Sequence, residues 1–157
     1  MTPSNHYIKL FDKKIFIVFI GLTLILFSNF IGHFAASFSI MITPILLPII
    51  IGGLNFSLYK RTYYLTVVYG FGLLLLNDIL IRLYAGGIND DAGKGWTMLF
   101  FIIAFVIASL TMAAFAFTSN KPNDKKKNVI TVLSKIIFFF IIAVLVGLFY
   151  DKYLSKV

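Results

Sequence analysis

The chain has no cysteine and no glutamate, and from Ile15 to Tyr59 it has no charged residue of any kind. Without cysteine there are no disulfides, no thiolate metal sites and no cysteine nucleophile. Without glutamate there is no terminal ligand for an EF-hand, and acid chemistry rests on six aspartates. Histidine is limited to His6 and His33. The uncharged run is the most informative absence. About 20 apolar residues at 1.5 Å each cross a hydrocarbon layer ~30 Å thick, so the run holds two spanning helices and a turn.

What is present extends that pattern. Of the residues 60% are hydrophobic, 17% aromatic and only 13% charged, and the mean hydropathy is +0.96, outside the range of soluble domains. The expectation is an all-α, polytopic membrane bundle forming a single transmembrane domain over residues 1–157, with spans near 15–36, 40–58, 62–84, 96–118 and 129–150. A cleaved signal peptide is the rival reading of the first span, because Ala35-Ala36-Ser37 imitates a cleavage site. The long apolar run, with a second span directly after it, favours a retained helix.

The formal charge of +8 sits in short clusters between apolar segments, which argues against a nucleic-acid partner. Lys9, Lys13, Lys14, Lys60, Arg61, Lys121, Lys125, Lys126, Lys127 and Lys135 fall on one side of the five-span layout, against Asp12 and Asp124. On the other side Arg82, Lys94, Lys152 and Lys156 are balanced by Asp78, Asp90, Asp91 and Asp151. The positive-inside rule then puts the amino terminus in the cytoplasm, and a bacterial cytoplasmic membrane is the expected location. Tyr59, Tyr63 and Tyr64 fall at the inner interface and Tyr84, Trp96 and Tyr150 at the outer one. Lys125, Lys126 and Lys127 suit an anionic lipid surface as well as a topological anchor.

Polar residues within the spans are the candidates for function. Asp78 and Arg82 are four residues apart on one face of the third span, in the favourable acid-then-base order. Counting 1.5 Å per residue from mid-span, Asp78 lies ~8 Å, Asn29 ~5 Å and His33 ~10 Å toward the outer side. Asn29, His33, Asn77 and Asp78 therefore share a depth, and with Arg82 they form the expected ligand- or ion-binding site, opening outward. A purely structural reading pairs Asp78 with Arg82 and bonds His33 to a neighbouring helix. Pro44 and Pro48 remove backbone donors from the second span and mark a helix break that could line a path.

Ser28, Gly32 and Ala36, and likewise Ala104 and Ala108, recur every four residues; such faces suit close helix packing inside the chain or docking of a partner subunit. The segment Gly86–Gly95 reads as a Gly- and Asp-rich loop. It is not a P-loop, because Ile88 stands where the first glycine belongs. Ser37 or Ser39 could pair with His33, but no nucleophile-elbow sequence accompanies them and there are no paired acids or metal cage, so neither an enzyme nor a cofactor is expected. The sequence thus points to a non-enzymatic binding or transport subunit or, as the alternative, a structural or accessory subunit, with the lipid bilayer as its immediate partner.

Overall fold

The computed structural model describes residues 3–35, 38–57, 63–85, 91–118 and 125–154. Every element among them is helical: α1 (Pro3–Phe34), α2 (Phe38–Ser57), α3 (Tyr63–Leu83), α4 (Asp91–Thr118) and α5 (Lys125–Phe149), which runs into a π-helical turn, Tyr150–Leu154. Four of them are long and apolar enough to cross a bilayer, over Ile15–Phe34, Tyr63–Leu83, Ala92–Phe117 and Val129–Leu154. The apolar stretch of α2, Ile40–Gly53, is shorter. The turn at Ala36 and Ser37, the connection carrying Lys60 and Arg61, loop residues 86–90 and the connection from Ser119 to Asp124 lie outside the described residues.

Below, the end of the bundle at which α1, α3 and α5 begin is called proximal, and the end at which they finish distal. The hub is α3, which packs against α1, α2, α4 and α5. Half of its spanning window is buried, compared with 17–28% in α1, α4 and α5. Two sequence features let neighbours come this close. A Cβ on Gly70 would lie 2.5 Å from Met112 Cε and 3.2 Å from Ile51 Cγ1, so the bare backbone of α3 accepts α4 and α2 there. A Cβ on Gly21 would lie 2.7 Å from the Tyr69 hydroxyl, so this glycine of α1 makes room for a side chain from α3.

The distribution of polarity inverts that of a soluble protein. Phe16, Phe19, Phe27, Phe30 and Phe34 of α1, and Leu99, Ile102, Val106, Leu110 and Phe117 of α4, are exposed. Ser28, Asn29, Thr43, Thr66, Asn77, Asp78, Thr97 and Lys135 are buried. Only a hydrocarbon solvent makes this arrangement favourable, because there each polar group needs a protein partner and an exposed phenylalanine costs nothing.

Two expectations are corrected. Residues 91–95 are not loop but the first turns of α4. Glycine disfavours helix by only about 1 kcal/mol per residue. Within these turns Thr97 Oγ1 donates to the Gly93 carbonyl at 2.9 Å. Pro44 and Pro48 do not break α2, which continues through both; their missing donors are tolerated where neighbouring helices pack around the backbone, here α1, α3 and α4. The small residues Ser28, Gly32, Ala104 and Ala108 are buried within the chain itself, the internal-packing use of those faces.

Candidate functional site

The hub helix carries polar rungs to its neighbours. Along α1 there are three. The Tyr69 hydroxyl donates to the Val18 carbonyl in the space left by Gly21. Farther toward the distal end, Asn29 Nδ2 donates to Asn77 Oδ1 at 2.8 Å, while also donating to the Ile25 carbonyl of its own helix at 2.9 Å. At the end of α3, His33 Nδ1 meets the Tyr84 carbonyl at 2.8 Å. A carbonyl can only accept, so Nδ1 carries the proton, and His33 caps a carbonyl just past the helix terminus. The His33 ring also stacks on the Tyr84 ring, with centroids 4.7 Å apart and planes 20° from parallel.

Toward α5 the rungs are charged. Arg82 Nε donates to Asp78 Oδ2 at 2.7 Å, with both side chains only 3% exposed. The same guanidinium donates through Nη2 to the Tyr150 hydroxyl at 3.0 Å, its Cζ lying 5.7 Å from the Tyr150 ring centroid. Tyr150 in turn stacks on Phe101 of α4, centroids 3.8 Å apart and 14° from parallel. Tyr150 opens the π-helical turn, which keeps it and Leu154 on the buried side of the chain. Asp78, Arg82, Tyr150 and Phe101 thus tie three helices together at the distal end.

Asp78 and Asn77 also border a cavity between α2, α3 and α4, with Thr43, Thr97 and apolar side chains completing its wall. Its volume is ≈ 10 Å³. That is the room one water molecule needs. Neither Pro44 nor Pro48 lines it.

The residues grouped by depth therefore divide into three sets. Asn29 and Asn77 bond each other across the α1–α3 seam, and Asp78 and Arg82 pair and join Tyr150 on the α5 side. His33 bonds Tyr84, and among the described residues no hydrogen bond or ion pair joins it to Asp78. Among those residues no group of three or more His, Cys, Asp or Glu side chains could hold a metal ion.

Two participants were not evident from the sequence. Tyr150 reads there as an interfacial aromatic, although its hydroxyl caps a buried cation; its spacing from Asp78 and Arg82 along the chain gives no signal of that contact. Lys135 reads as one more topological lysine, but it is 1% exposed, with Nζ 5.3 Å from the Tyr63 ring centroid. Tyr63 also donates to the Met112 carbonyl at 3.2 Å, so the proximal end has its own polar tie among α3, α4 and α5. Lys135 lies ten residues into α5, a depth that a count of loop charges overlooks.

No protein family, curated protein or solved structure matches the chain. The class is given by the fold itself. This is a multi-pass membrane protein, an all-helical bundle with polar groups collected inside and apolar side chains turned to lipid.

Proposed function

We propose that the protein is a non-enzymatic structural or accessory subunit of a membrane assembly, and that its intramembrane polar residues hold the bundle together instead of carrying a solute. The observation behind this is the state of Asp78. Its charge is neutralised by Arg82 at 2.7 Å, and the cavity beside it has a volume of ≈ 10 Å³. A solute or a hydrated ion needs more space than that, and a cation meets a carboxylate whose partner is already in place. The reading places the protein in a cytoplasmic membrane, amino terminus inside, so that the distal end faces outward.

The test is paired substitution. A scaffold tolerates Asp78→Asn together with Arg82→Met, because the two ions leave together; both the fold and any copurifying partner survive. A transport site does not tolerate it. If the double variant stays folded but abolishes accumulation of a solute that the parent accumulates in cells, the structural reading is overturned.

A further inference from the structure

A second feature lies at the opposite end of the bundle from the Asp78 cluster. Between α3 and α5 an open groove of ≈ 420 Å³ is lined by Tyr64, Ile130, Leu133, Ser134, Phe138 and neighbouring isoleucines of α5. From Ile130 to Ile141 the groove follows α5 for roughly 17 Å at 1.5 Å per residue. One leaflet of a ~30 Å hydrocarbon layer is about that deep. Among the described residues lining it, the hydroxyls are those of Tyr64 and Ser134, which bond each other at 3.0 Å. Whichever donates, the other hydroxyl keeps its hydrogen for a third party. The Tyr64 ring is held edge-on against Phe138, centroids 4.9 Å apart at 87°, so this wall is fixed by packing. Lys125, Lys126 and Lys127 open α5, and helical register sets Lys126 one turn before Ile130 in the sequence of the helix.

We propose that this groove is a binding site for an anionic phospholipid. The acyl chain lies along the aliphatic face of α5, the free hydroxyl hydrogen of the Tyr64–Ser134 pair meets an ester or glycerol oxygen, and the phosphate sits by the lysine-bearing first turn. The charge match selects the occupant. A zwitterionic lipid fills the same apolar face equally well but gains no net attraction from three cations.

The single tryptophan of the chain, Trp96, stands at the distal end and is 59% exposed, so it serves as the internal control. The full-length protein carrying Trp96→Phe and Ile137→Trp is placed in phosphatidylcholine vesicles containing a minor fraction of brominated phosphatidylglycerol or brominated phosphatidylcholine. Ile137 is 52% exposed, so it accepts the larger ring, and far-UV circular dichroism checks the fold. At the introduced tryptophan the anionic quencher should occupy the site at least about fivefold more than the zwitterionic one, the factor that one lysine near an anionic surface supplies. Trp96 of the parent should show no such preference. Adding Lys125→Gln, Lys126→Gln and Lys127→Gln should erase it. Equal quenching by the two lipids at the introduced tryptophan overturns the proposal; so does an equal preference at Trp96, which would mean a general surface effect and no site.

Discussion

Removing Arg82 should damage the protein more than removing the charge of Asp78, and removing both should cost less than removing Arg82 alone. The reason is geometric. At 2.7 Å the direct attraction between the two ions is roughly 6 kcal/mol at an effective dielectric constant of about 20, most of it offset by their desolvation. What matters is the partner left behind. Arg82→Met strands a carboxylate that is 3% exposed on a short side chain with no reach to the interface, which should cost about 3–5 kcal/mol. Asp78→Asn strands a guanidinium one residue before the end of α3, still bonded to Tyr150 and long enough to reach the headgroups, so about 1–2 kcal/mol is expected. The double variant leaves no unpaired ion; it loses the hydrogen bond to Tyr150 and leaves the introduced amide without its partner, about 1–3 kcal/mol in all. Reversible unfolding of the four proteins in one detergent, analysed as a double-mutant cycle, measures these values. Additive losses, or an Asp78→Asn variant less stable than Arg82→Met, would refute the reasoning.

Three further outcomes follow from the same contacts. Tyr150→Phe keeps the stack on Phe101 but loses the hydroxyl that accepts from Arg82, so stability should fall by about 1.5–3 kcal/mol, and amide exchange in the Tyr150–Leu154 turn should quicken. Asn29→Leu removes the rung to Asn77 and should cost roughly 0.6–2 kcal/mol, the range for interhelical hydrogen bonds in lipid; adding Asn77→Leu should recover part of the loss, because no buried amide then lacks a partner. Gly70→Ala places a methyl 2.5 Å from Met112 Cε, the far end of a flexible side chain, and 3.2 Å from Ile51 Cγ1, so it should destabilise by only about 1 kcal/mol, a loss that Met112→Val relieves by shortening the opposing side chain. Thermal melts in detergent report all three.

The existence of the helices was legible because a bilayer imposes one simple rule on composition, and runs such as Ile15–Phe34 obey it with little ambiguity. The start of α4 was less legible. The glycine and aspartate pattern that marks a loop in one context is compatible with a helix start in another, and the hydroxyl of Thr97 bonding back to Gly93 helps decide between them. For the candidate site, depth could be counted along each helix but angular position could not. Spacing within α3 sufficed to bring Asp78 to Arg82, since a four-residue interval fixes both height and face. Counting heights also put Asn29 level with Asn77. The same count grouped His33 with Asp78, but His33 meets Tyr84, because contact between helices depends on rotation about their axes, which hydropathy does not encode. Tyr150 and Lys135 were hidden for the same reason. Each needed a partner supplied by α3.

The two partners of Arg82 differ in when they become available. Asp78 is four residues away, whereas Tyr150 lies 68 positions farther along the chain. At a synthesis rate of about 5–20 residues per second, roughly 3–14 s separate the emergence of the guanidinium from that of the phenol. During that interval the neighbouring aspartate is the one of the two partners already synthesised. The carboxylate is thus the local partner, on the same helix as the cation, and the phenol the late one, joining the distal end across helices.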